Sequence, residues 1–141
     1  QGEIPRVSQP APGAQPPYAL AIPVFRHRTL AALAARAPMG PAREVTLAWY
    51  LCARLIDGAT GPLRLSATVR QARAAAARSW LASAGLPTSC RMTLGKLMEA
   101  CGSEAEPDRQ RIARMAADAL GATAEHLDAP ARAEVEHLAP R

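Results

Sequence analysis

Asparagine is absent from this sequence of 141 residues, and lysine occurs once, at Lys96, against 16 arginines. Such a bias fits a GC-rich bacterial genome, so part of the arginine excess reflects codon usage. No run approaches the roughly 18 consecutive apolar residues of a membrane-spanning helix, and no basic start precedes an apolar stretch as a signal peptide requires. The chain is therefore expected to have no membrane partner. Cysteines number three, Cys52, Cys90 and Cys101, and follow no metal-ligand spacing. They make a poor disulfide framework, so a reducing compartment and a cytoplasmic location are expected. The first residue is Gln, from which a processed form or an excised fragment is expected.

Alanine is abundant, with 33 residues, and the region from Arg26 onward holds 14 Leu, 4 Met, 3 Val, 2 Ile and 2 Trp. Close helix packing on small side chains follows, with modest burial per residue at about 25 cal/mol per Å². Charge is unevenly placed: residues 1–63 carry +3, residues 64–102 carry +5 and residues 103–141 carry −3. A basic middle and an acidic end either attract an anionic partner or pair with each other across the fold.

Residues 1–25 read as a proline-rich leader, extended and mobile, because the stretch lacks the apolar surface to offset its ordering entropy. Its end is locally apolar at Tyr18, Leu20, Ile22, Val24 and Phe25. Those five residues are the candidate docking segment, lying either on the chain's own domain or on a partner.

Residues 26–141 read as one all-α domain, a compact bundle of five to seven short helices. A first helix is expected from a cap at Thr29, with Leu30, Leu33, Ala34 and Ala37 on one face, ending at Pro38 and Gly40. A second starts at Pro41 and runs to about Asp57, where Gly58 suits a stop. Its wide apolar arc, around Val45, Ala48, Trp49, Cys52 and Ile56, marks a central helix. A third spans Ser66 to Ala84, with Val69, Ala72, Ala76, Trp80 and Ala84 facing the core and Arg73 on the same face. Thr88 or Ser89 caps a fourth, whose stripe is Leu94, Leu97, Met98 and Cys101. The box Ser103-Glu-Ala-Glu106 predicts the start of a fifth, with Ile112, Met115, Ala116, Ala119 and Leu120 inward and Gly121 as the stop. Thr123 and Asp128 are expected to cap two short closing helices carrying Leu127, Val135 and Leu138.

Motifs for chemistry are few. There is no Gly-x-Ser-x-Gly elbow, and Gly58-Ala-Thr-Gly61 runs into Pro62 without the lysine and helix of a phosphate loop. Glu134 and His137 have the spacing of a di-iron helix pair, but the second pair such a site needs is missing, so a solvated acidic helix is the reading. Cys90, near a helix start and beside Arg91, is the best candidate for a reactive thiol, although most such thiols are small buried hydrophobes. Cys52, on the central helix, is expected to be inert. No catalytic residue, cofactor or metal is assigned.

Nucleic-acid binding by a basic surface of Arg64, Arg70, Arg73, Arg78, Arg91 and Lys96 is the alternative. At 100° per residue, Arg70, Arg73 and Arg78 spread over about 140° of their helix and form no single stripe. A helix-turn-helix over Ala77 to Leu94 fails, with Leu81 where a small residue is wanted and Arg91 where an apolar one is. The stretch Ile112 to Leu127, with Leu120-Gly121 followed by Thr123, resembles the closing helices of Cro-like repressor domains over 16 residues. No DNA contact is carried over from it, since the recognition-helix pattern does not precede it. The expected function is a non-enzymatic helical interaction or regulatory module that docks a protein partner or joins subunits.

Overall fold

The computed structural model describes residues 25–61, 64–103 and 106–138. Among them are six α-helices: α1 (Phe25–Arg36), α2 (Pro41–Thr60), α3 (Ala67–Ser83), α4 (Thr88–Ser103), α5 (Arg109–Thr123) and α6 (Ala129–Leu138). A 3-10 turn, Ala124–His126, joins the last two, and no described residue is in a strand. Of the candidate docking segment, Tyr18, Leu20, Ile22 and Val24 lie outside the described residues, and Phe25 is the first residue of α1.

The centre is α2, which touches every other α-helix. Twelve of its twenty residues are buried, including Val45, Trp49, Cys52 and Leu55, as its wide apolar arc predicts. Pro41 opens it, where the missing N–H has no partner to lose, and Gly40 precedes it at φ 111°, a backbone angle that favours glycine. The helix does not stop at Gly58. It continues to Thr60, and the N–H of Gly61 closes it on the Asp57 carbonyl at 2.8 Å. Gly58 instead makes room for a neighbour, since the Leu65 side chain lies against it, 2.9 Å from where a Cβ would stand.

α1 begins at Phe25 rather than at Thr29, which is exposed in its second turn. The inward face stands, with Leu30, Ala34 and Ala37 buried and Leu33 partly so. In α3 the expected face is displaced. Ser66 caps the helix by accepting the Val69 N–H, but the buried residues are Arg70, Ala74, Ala77 and Leu81, three of them one position on from an expected residue and Ala74 two on from Ala72. One residue is a rotation of about 100°. The reason is the seam with α4, where Leu81 meets Gly95 and a Cβ added at Gly102 would overlap the Ala74 methyl. Two notches seven residues apart on one face of α4 select the small Ala74 and the long Leu81 and turn Val69 outward. Trp80 ends half-buried and Arg73 is not in the core.

The first turn of α4 starts at Thr88 itself, and the Pro87 carbonyl accepts the Arg91 N–H at 3.0 Å. Its expected stripe, Leu94, Leu97, Met98 and Cys101, is fully buried. The predicted box at Ser103 is not the start of α5: α4 runs through Ser103, and Asp108 caps α5 by accepting the N–H groups of Gln110 and Arg111 at 3.0 and 3.3 Å. Pro107 disfavours helical backbone at the residue before it, which moves the start past Glu106. On α5, Ile112, Ala116 and Ala119 are buried, with Met115 and Leu120 partly so. The helix also passes through Gly121. Thr123 is no side-chain cap, because its hydroxyl donates back to the Ala119 carbonyl at 2.8 Å and accepts the Trp49 indole N–H at 2.9 Å. Asp128 does cap α6, accepting the Ala131 N–H at 3.1 Å, and Leu127, Val135 and Leu138 are buried.

Candidate functional site

Arginine takes two kinds of place in this molecule, and the first is structural. The last carbonyls of any helix have no partner within it, and an arginine fork is a good donor to them. Arg43 donates to Ala37 O at 2.7 Å and to Ala35 O at 3.2 Å, closing α1. Arg109 donates to Thr60 O at 2.8 Å, closing α2. Arg91 donates to Leu86 O at 2.8 Å and Ala84 O at 3.4 Å beyond α3, and Arg132 donates to Ala124 O at 2.8 Å beyond α5. In each case a later segment of the chain returns a guanidinium to the helix's end.

The second place is a cleft between α2 and α3. From α2 come Leu51, Arg54, Leu55 and Gly58, spaced so that they share one face. From α3 come Arg70, Arg73 and Ala77, again on one face, and Leu65 of the connecting segment completes the lining. Its volume is about 20 Å³. Four apolar side chains thus form a floor for three guanidinium groups. Arg70 is 3% exposed and Arg54 9%, while Arg73 is half-buried. The Arg54 guanidinium lies over the Tyr50 ring, 5.7 Å from its centre, a favourable cation–π distance. Burial lowers the Arg54 pKa from its ordinary value, Tyr50 opposes that shift, and the neighbouring positive charge of Arg73 adds to it. α3 contains no acidic residue, and on α2 the nearest in sequence to Arg54 is Asp57.

The six residues of the predicted basic surface therefore divide. Arg70 and Arg73 meet in the cleft; Arg91 is held by backbone carbonyls; Arg64 is exposed, with Glu106 at 3.5 Å; Arg78 is exposed on α3, and Lys96 lies on α4. Arg54 was not among the expected site residues. Its only sequence signal is a charged residue in register with the core face of the most apolar helix.

The thiols take no part in this site. Cys90 is fully buried with its sulfur 3.6 Å from the Ala122 carbonyl, and burial raises its pKa despite its place in the first turn of α4. Burial likewise raises Cys52 well above the usual thiol range, with Cys101 adding to the shift, and pushes Cys101 up to about 12. His137 and Glu134 line an open hollow of about 400 Å³ with Leu30 and Leu138. Among the described residues, no three of His, Cys, Asp and Glu are grouped to hold a metal ion, and no helix is long and apolar enough to cross a membrane. No protein-family model, curated protein or solved structure matches this chain.

Proposed function

We propose that the chain is a non-enzymatic helical interaction module, and that the α2–α3 cleft is where it docks an acidic segment of a protein partner. One observation carries this reading: Arg54, Arg70 and Arg73 converge on one cleft lined by apolar side chains between α2 and α3. A desolvated guanidinium offers a carboxylate two parallel hydrogen bonds, and the apolar lining strengthens them by excluding water. The concentration of +5 between residues 64 and 102 favours the approach of an anionic partner.

The nucleic-acid reading has less behind it. Of its six candidate contacts, Arg91 is held by backbone and Arg70 is buried, leaving Arg73 and Arg78 on α3, Lys96 on α4 and Arg64 in the segment before α3 to meet phosphates. The two readings separate in one titration of the full chain against a labelled hexaglutamate peptide and a labelled DNA duplex, by fluorescence anisotropy at low and raised salt. Peptide binding is expected, with the duplex held weakly or not at all. Duplex binding that falls steeply with salt, without peptide binding, would overturn the proposal in favour of a phosphate-binding surface.

A further inference from the structure

The turn Pro38-Met39-Gly40-Pro41, which joins α1 to α2, is fixed along its backbone: each proline restricts its own φ, and Gly40 takes the angle of 111° that a side chain disfavours. The Met39 side chain stands out from this turn, 79% exposed. Its sulfur nevertheless has a neighbour. Arg43 Nη1 donates to Met39 Sδ at 3.0 Å, while Nη2 donates to Ala37 O at 2.7 Å and Ala35 O at 3.2 Å, and Nε to Ala37 O at 3.1 Å. Two nitrogens of the guanidinium are thus anchored on the end of α1, and the third is offered to the thioether. A thioether is a weak acceptor for a charged donor.

We infer that Met39 is a site of reversible oxidation by a hydroperoxide, and that Arg43 receives the sulfoxide oxygen formed there. Of the four methionines, Met98 is fully buried and Met115 half-buried, and Met92, 57% exposed on α4, is the other accessible thioether. In the reaction a lone pair of Sδ attacks the terminal peroxide oxygen, an S–O bond forms and the O–O bond breaks. The proton on the attacked oxygen passes to the leaving oxygen, which departs as water or an alcohol; sulfur loses two electrons and the peroxide gains them. Sulfur has two lone pairs, and with one turned to Arg43 the other is open to solvent and takes the oxygen. Rotation about the terminal bonds of the side chain then brings the S–O group to Nη1. A weak acceptor has become a strong one facing a cation. Nη2 and Nε keep their α1 carbonyls, so the junction of α1 with α2 is tightened and not opened. A dithiol reductant takes the oxygen off as water, forms a disulfide and restores the thioether.

Met92→Leu in the full chain leaves Met39 as the one exposed methionine and provides the material for the experiment. Dilute hydrogen peroxide is expected to add one oxygen atom, placed at Met39 by peptide mass spectrometry, well before Met98 or Met115 reacts. The Arg43 Nε–Hε resonance should shift with the same time course, and the melting temperature should hold or rise. Treatment with the two epimer-specific methionine sulfoxide reductases and dithiothreitol should return both the mass and the resonance to their starting values. A chain that also carries Met39→Leu should keep its Arg43 resonance in place under peroxide. Both substitutions fall on exposed side chains, so folding does not depend on them. Oxidation of Met39 no faster than that of Met115, or an oxygen that the reductases do not remove, would overturn the reversible site. Oxidation with the Arg43 resonance unmoved, or with a fall in melting temperature, would show the oxygen solvated or Arg43 dislodged from α1, and either overturns the capture. None of these outcomes depends on whether the α2–α3 cleft docks a partner.

Discussion

α2 and α3 lie side by side, yet α2 buries twelve of its twenty residues while only Arg70, Ala74, Ala77 and Leu81 of the seventeen in α3 are buried. α2 is held from all sides by large side chains, Trp49 foremost, whose indole also finds Thr123 across the core. α3 is held on one edge, by Ala74 and Leu81 set against Gly102 and Gly95 of α4. The first arrangement makes a rigid centre. The second brings two backbones close and leaves most of α3 in solvent. The cleft lies where these modes meet, with a floor supplied largely by the rigid helix and Arg73 presented by the exposed one. Preorganised charge on a fixed support loses less freedom on binding than a flexible surface does.

Removing the central anchor should have the largest effect. Trp49→Ala is expected to lower unfolding free energy by about 3–5 kcal/mol, since it leaves a cavity and deprives the Thr123 hydroxyl of its donor. Trp80→Ala on α3 should cost well under half as much, because its ring is half-buried. Denaturant titrations of the two variants compare them directly; equal losses would mean that α3 is anchored as firmly as α2.

The α3–α4 seam should respond to a single methyl group. Gly102→Ala places a Cβ against Ala74 and close to the Arg70 carbonyl, so a destabilisation of roughly 1–3 kcal/mol is expected. Gly121→Ala, on α5, meets nothing within 4 Å and has no positive φ, so helix propensity alone should stabilise it by about 0.5–1 kcal/mol. Thermal melts would show shifts of opposite sign. A neutral Gly102→Ala would mean that the two helices have room to separate.

The smallest effect near neutrality, and one that grows with pH, concerns the thiols between α2 and α4. The Cys101 pKa is raised from 9.0 to about 12, by burial first and with Arg70 opposing, and that of Cys52 is raised in the same sense. Above pH 9.0 the unfolded chain therefore releases protons that the folded chain keeps, so stability falls as pH rises. The thiol contribution is fully present below 9.0 and is lost towards about 12, at up to roughly 1.4 kcal/mol per pH unit for each thiol. Urea midpoints for the parent and Cys101→Ser, measured across that window, should converge as pH rises. Parallel lines would place the titration elsewhere.

Much of the fold was legible because a helix that packs on large residues records its own inward face. The stripes of α2 and α4 and the caps at Ser66 and Asp128 are readable this way, since the cause lies within one or two turns of the residue. In α3 the register differs by one position from the one its sequence favours. Its pattern offers Val69 and Trp80 on one register and Leu81 with alanines on the other, and bulk alone favours the first. The preference is reversed by Gly95 and Gly102, which lie on another helix. The Ser103 box fails for a local reason, the effect of Pro107 on the backbone before it. The cleft was half visible: Arg70 and Arg73 are prominent in a basic segment, whereas Arg54 is hidden by the apolar helix that carries it.

By itself the sequence determined the helical class, the central place of α2 and the approximate span of most of the helices, because apolar periodicity and turn chemistry act over a few residues. Only the tertiary structure decided what the arginines do. Every helix end offers unpaired carbonyls, and which guanidinium reaches them depends on how later segments fold back, as those carrying Arg43, Arg91, Arg109 and Arg132 do. The same folding back brings Arg70 and Arg73 of α3 alongside Arg54 of α2. Charge counts along a chain are additive, whereas the meeting of three charges at one place is set by the packing angle and register of two helices.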